Sequence, residues 1–163
     1  MIRVLHSCSG LALMLVLISV HGGVSAAESG MIFKDRQAMD QRYELGLAAF
    51  HAGQYTVAFR IWRELAEGGH APAQVDLGYL YSEGIGVQRD DSLAVHWFRL
   101  AAEQGNLDAK NNLGFMYALG RGTPQDTQLA SRLYREAARA GHYVAAQNLR
   151  AGLVPVISAV YSQ

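Results

Sequence analysis

Beyond its first 26 residues the chain holds four histidines, at 51, 70, 96 and 142. These are the side chains best suited to hold a metal or move a proton. No two of them stand four apart on one helix, the spacing that lets two imidazoles share a zinc ion. His70 and His142 instead stand 142 − 70 = 72 residues apart. Ser82, Ser92 and Ser131 have no histidine and acid placed to activate them, and there is no Gly-x-Ser-x-Gly or Walker sequence. The single cysteine, Cys8, precedes an apolar run. Gly84-Ile-Gly86 resembles part of a phosphate loop, but it sits between two helical stretches and not after a strand, so it reads as a turn. Glu44, Glu64, Glu67, Glu103 and Glu136 read as solvated helix positions. No catalytic residue, cofactor or metal site is expected.

Composition narrows the partners. The 163 residues are 50% hydrophobic and 17% charged, with formal net charge +0. Neither nucleic acid nor an anionic membrane suits a chain without a cationic footprint. Arg3, the apolar run Leu11–Val20 and the small residues Val24-Ser-Ala26 form an export signal with a cut expected after Ala26. The run is too short to span a bilayer. A chain so cut has no cysteine and no integral span, and relies on packing alone. The periplasm is the expected compartment.

The rest is one unit written twice. Leu77-Gly78-x-x-Tyr81-x-x-Gly84-x-Gly86 recurs as Leu113-Gly114-x-x-Tyr117-x-x-Gly120-x-Gly122, an offset of 113 − 77 = 36. Asp90 and Asp126, Ala94 and Ala130, Phe98 and Tyr134, and Gly105 and Gly141 keep it. A period in this range means stacked helical hairpins. A shortened copy precedes them: Leu45-Gly46 lies 77 − 45 = 32 before its counterpart, with Ala52-Gly53-Gln54-Tyr55 in place of the Gly-x-Gly loop.

Helices are expected at about 37–51, 55–67, 72–82, 91–104, 107–119, 127–140 and from His142. Gly53, Gly69, Gly105 and Gly141 act as stops, and Asp90 or Asp91 and Asp126 as caps. Ile32 and Phe33 are expected to fold back on the first helix, and Gly152 and Pro155 to break the last. Glycine at 46, 78 and 114 costs about 0.5–1 kcal/mol each inside a helix. Its recurrence therefore predicts close approach, where neighbouring copies touch.

Ala73-x-x-x-Leu77-Gly78-x-x-Tyr81-x-x-Gly84-x-Gly86-Val87-x-x-Asp90, followed by Ala94-x-x-Trp97-Phe98-x-x-Ala101-Ala102-Glu103-x-Gly105, resembles a Sel-1-like repeat. The second copy departs at Thr123 and Leu133, and the first pair is closer to a plain tetratricopeptide repeat. The resemblance implies an all-α fold, a right-handed α-α superhelix. Its parts would be a signal (1–26), a lead-in (27–36), a truncated pair (37–69), two repeats (70–105 and 106–141) and a capping helix with tail (142–163). It also implies protein–protein interaction. The cysteines of relatives linked to β-lactam binding are absent here.

In tetratricopeptide-like stacks the first helix of each pair lines the concave face. That mapping gives Tyr43, Leu47 and Phe50, then Val75, Tyr79 and Ser82, then Asn111, Phe115 and Ala118, and Gln147. Such a strip suits a protein or peptide partner, with aromatics as anchors and amides for backbone. It also suits cover by the chain's own termini. The expectation is a non-catalytic scaffold, adaptor or regulator. The alternatives are a hydrolase acting on β-lactams or cell-wall material, and a structural subunit that self-associates as a homodimer through either end.

Overall fold

Seven helices follow one another among the residues that the computed structural model describes, 26–151, with side chains from Asp35 onward. They are α1 (Ala26–His51), α2 (Tyr55–Glu67), α3 (Ala71–Glu83), α4 (Asp91–Glu103), α5 (Leu107–Leu119), α6 (Thr127–Arg139) and α7 (Tyr143–Arg150). No strand occurs among them. Residues 1–25, nearly all of the expected export signal, and the tail after Ala151 lie outside the described residues.

Local chemistry sets the helix ends. Gly69, Gly105 and Gly141 follow α2, α4 and α6 with φ of 85°, 88° and 95°, a left-handed turn that side chains resist. The next residue then caps the following helix: His70, Asn106 and His142 accept the N–H of Ala73, Ala109 and Ala145. Asp90 and Asp126 cap α4 and α6, each taking two backbone N–H groups.

The start of α1 departs from expectation. The helix runs from Ala26, not from about Gln37, so residues 27–36 are helix and not a polar lead-in. The repeat explains this. The stop glycine stands eight residues before Leu77, Leu113 and Leu149, and eight before Leu45 stands Gln37. The capping place after it holds Ala38. With neither stop nor cap, nothing ends the helix there. Ile32 and Phe33 are part of α1 and cannot fold back on it.

The three helix-interior glycines act within each hairpin, not between copies. A Cβ on Gly78 would lie 2.7 Å from the Phe98 ring, and one on Gly114 would lie 3.0 Å from the Tyr134 ring. One on Gly46 would overlap the indole of Trp62. The rings, 36 residues apart, are almost wholly buried on the second helix of each pair. Burying each stabilises by roughly 1.5–3 kcal/mol, which outweighs the glycine's cost.

Contact between copies falls partly to the loops. The second glycine of each Gly-x-Gly, with φ of 69° at Gly86 and 65° at Gly122, presses on the first residue of the preceding pair's second helix. Gly86 meets the backbone of Tyr55, and Gly122 meets that of Asp91. The truncated first pair lacks this loop and has no described pair before it to touch.

Candidate interaction surface

The first helices α3 and α5 lie between neighbours on both sides and are buried along most of their length, whereas α4 and α6 bury one stripe. That geometry corrects the mapped strip. Val75, Ser82, Asn111, Phe115 and Ala118 are at most 8% exposed and do not face solvent. For all of these but Phe115, helical periodicity is the reason. Residues three before and four after the interior glycine share its face, and that face meets the partner helix.

Tyr43 and Phe50 flank Gly46 in this way. Both rings lie against Trp62, Phe50 stacked at 5.6 Å and Tyr43 tilted at 6.2 Å. Ala118 packs in the cluster around Tyr134. The remaining set, Leu47, Tyr79 and Phe115, shares one register, one residue after each glycine. Leu47 and Tyr79 are half-buried. Phe115 carries the Arg121 guanidinium 5.6 Å from its ring centre. Gln147 is exposed and donates to the Tyr143 hydroxyl at 2.9 Å.

Polar groups between first helices are matched. The Tyr43 hydroxyl donates to Asp76 Oδ2 at 2.6 Å, and Asn148 Nδ2 donates to Asn111 Oδ1 at 2.9 Å. Burial, then the Asp76 charge, pushes the Tyr43 phenol far above its ordinary range, so it remains a donor. His70 Nε2 lies 3.1 Å from Asp40, and His142 Nε2 lies 2.9 Å from Asp108. Each ring thus caps one helix and reaches back to the preceding first helix. Burial also raises the Tyr79 phenol, with Glu83 adding to it.

Arg121 gathers the groups at the loop edge. It donates to the Ser82 carbonyl at 2.7 Å and to both oxygens of Asp91, at 2.8 and 3.2 Å. The Arg121 hydrogen bonds, with help from Arg89, hold the Asp91 carboxyl down at about 2 against the cost of its burial. Sequence reasoning weighed Asp91 only as a cap. It missed Arg121, Asp40 and Asp108, and gave the 72-residue spacing of His70 and His142 without their partners. The signal was present: Asp40 and Asp108 lie 68 apart, which is 72 less the four-residue deletion.

Beside the His70–Asp40 pair an open groove of about 620 Å³ runs between α1 and the α2–α3 turn. Among the described residues, no three His, Cys, Asp or Glu side chains gather to hold a metal ion. No helix there is long and apolar enough to cross a membrane.

The Sel1 repeat model matches residues 71–106 and 107–142, each match running from the start of a first helix to the next capping residue. The chain carries two Sel1 repeats. A Sel1 repeat protein from Oxalobacter formigenes is 32% identical with a TM-score of 0.61, over 64% of this chain and 43% of that one. A protective antigen of uropathogenic Escherichia coli with an SLR fold is 35% identical with a TM-score of 0.60, over 66% of this chain and 24% of that one. Helicobacter pylori cysteine-rich protein B shares the fold at 21% identity and a TM-score of 0.59, over 77% of this chain and 98% of that one. The chain thus spans less than half the length of the first two. No curated protein matches it. Sel1 repeats are in general non-catalytic protein-interaction scaffolds.

Proposed function

We propose that this chain is an exported, non-catalytic binding module, periplasmic after cleavage following Ala26, that holds a protein or peptide partner against its first helices. The observation that carries the reading is the ladder Leu47, Tyr79, Phe115. Three successive first helices carry an aliphatic or aromatic side chain at one register; Phe115 is buried beneath Arg121, and the half-buried Leu47 and Tyr79 keep apolar surface within reach of a partner. Apolar side chains at a regular spacing anchor an extended segment or a helix face, and nearby polar groups fix its orientation. Gln147 supplies an exposed amide further along the stack.

The test compares the full chain with Tyr79→Ala and with Tyr79→Phe in co-purification from the exported fraction. A partner retained by the Phe variant and lost by the Ala variant supports the ladder. Equal recovery by both variants and the parent sinks it. N-terminal sequencing of the exported protein should begin at Ala27.

A further inference from the structure

The second helices repeat their outward charges in register, and α6 breaks the pattern. Arg60, His96 and Arg132 stand 36 residues apart on α2, α4 and α6, and so do Arg63, Arg99 and Arg135. The third outward place holds Glu67, then Glu103, then Arg139. All of these side chains are exposed. On α2 the glutamate lies 3.9 Å from Arg63, four residues before it. On α4 Glu103 keeps that spacing from Arg99, whose guanidinium donates to the Tyr117 hydroxyl at 3.3 Å. On α6 the same place adds a third cation. Arg132, Arg135 and Arg139 fall within about 60° of one another around the helix, away from the buried Ala130, Tyr134 and Ala137. Among the described residues none of the three has a hydrogen bond or an ion pair. Glu136, the acid on α6, is held by Lys110 at 3.0 Å.

Like charges one turn apart repel and weaken a helix. Arg139, in the last turn, gains from the helix dipole. Arg132 and Arg135 lie too far inside to share that gain. The fold therefore does not explain the cluster, and α2 and α4 show that the register of Arg139 accepts an acid. The formal net charge of +0 conceals this local excess. Arginine forks take carboxylates two bonds at a time. Leu129, half-buried, stands three residues before Arg132 and offers an apolar seat beside the charges. A broad anionic surface is a poor match, because Glu67 and Glu103 on the other second helices repel it. A single segment laid along α6 avoids both acids.

We propose that the outer face of α6 binds an acidic polypeptide segment, with its carboxylates held by Arg132, Arg135 and Arg139. This surface lies on a second helix, whereas the Leu47–Tyr79–Phe115 ladder lies on first helices, so either proposal can fail without the other.

The test uses the full chain and a fluorescent oligoglutamate peptide, with binding read by anisotropy at physiological ionic strength, where charges more than about 8 Å away are screened. Arg132→Gln with Arg135→Gln should weaken binding about tenfold or more, the effect of losing charge-assisted contacts. Arg139→Glu, which gives α6 the residue of its counterparts, should weaken it as well. Arg60→Gln with Arg63→Gln makes the matching change on α2 and should leave affinity within about twofold. The α6 double variant should melt no lower than the parent, because it removes like-charge neighbours. Absence of binding by the parent overturns the proposal. So does an equal loss from the α2 and α6 changes, since the peptide then follows any cation on the chain. Tighter binding to phosphatidylglycerol vesicles than to the peptide overturns it in favour of a membrane. An α6 double variant that melts well below the parent overturns it too, because the arginines then serve the fold.

Discussion

The junction between α3 and α5 is built unlike the junctions on either side of it. Between α1 and α3, and again between α5 and α7, a histidine cap reaches an aspartate, and a buried polar pair bridges the first helices. At the middle junction the same registers hold Asn106 with Pro72 and Val75 with Asn112. Within the pairs the pattern repeats. Arg42 meets Glu64 and Lys110 meets Glu136, while the middle pair has Gln74 and Leu100. What the middle junction has instead is Arg121, bound to Asp91 and the end of α3, above an apolar cluster containing Val75 and Phe115. The 36-residue period is thus a packing period, set by glycine, alanine and ring. The side-chain pairs just named follow two units, while the aspartate caps keep the 36-residue period. Apolar packing needs only size at each register, whereas a hydrogen bond needs both partners to change together.

The largest effect should come from the loop seats. Ala at Gly122 must hold a left-handed backbone and intrude on the Asp91 backbone, which cannot swing away. Gly122→Ala should destabilise by about 3 kcal/mol or more. Gly86→Ala, against Tyr55 atoms 2.7–2.8 Å away, should cost less. Urea melts of the two variants decide this. An innocuous Gly122→Ala would mean that the middle junction does not depend on the loop.

Arg121→Ala comes next, at about 2 kcal/mol, since it leaves Asp91 with Arg89 alone and uncovers Phe115. Here pH sharpens the comparison. The folded Asp91 carboxyl, at about 2, lies below its ordinary 3.8. Its contribution is full above the ordinary value and is lost as pH falls from there through about 2. Parent and Arg121→Ala should therefore converge in stability over that interval, as followed by thermal melts. Parallel curves would remove Arg121 as the cause.

How much of this was legible in the sequence divides along the same line. The helix count, the stops and the aspartate caps were readable because each depends on one local residue type at one spacing. The glycines were read as close contacts, but the ring each one meets lies sixteen to twenty residues ahead, so the contact was assigned between copies when it lies within the pair. The inner strip failed for a related reason. The positions flanking a helical glycine belong to its packed face, and choosing Val75, Ser82, Asn111 and Ala118 overlooked that face. Phe115 needed the fold itself, since its register mate Tyr79 stays half-buried. The two-unit polar pattern was hidden by the four-residue deletion, which gives Asp40 and Asp108 a spacing different from that of His70 and His142.

Smaller effects probe the polar pattern directly, because the chain already contains the substituted version of each site. His142→Ala removes both the cap and the reach to Asp108 and should cost about 1 kcal/mol. His142→Asn should recover most of that loss, since Asn106 caps α5 without an acid partner. If the Asn and Ala variants melt together, the tie to Asp108 outweighs the cap. Asp76 is the smallest case. It is an acid only 2% exposed, at a register where the next two units carry Asn112 and Asn148, which are as deeply buried. A buried carboxyl costs more to desolvate than an amide, and an amide oxygen can still accept the Tyr43 hydroxyl. Asp76→Asn should therefore be neutral or stabilise by up to about 1 kcal/mol, and Tyr43→Phe should cost less in that background than in the parent. A clear loss of stability in Asp76→Asn would show that the Tyr43 bond needs the acid. The first junction would then differ from the α5/α7 junction that otherwise repeats it.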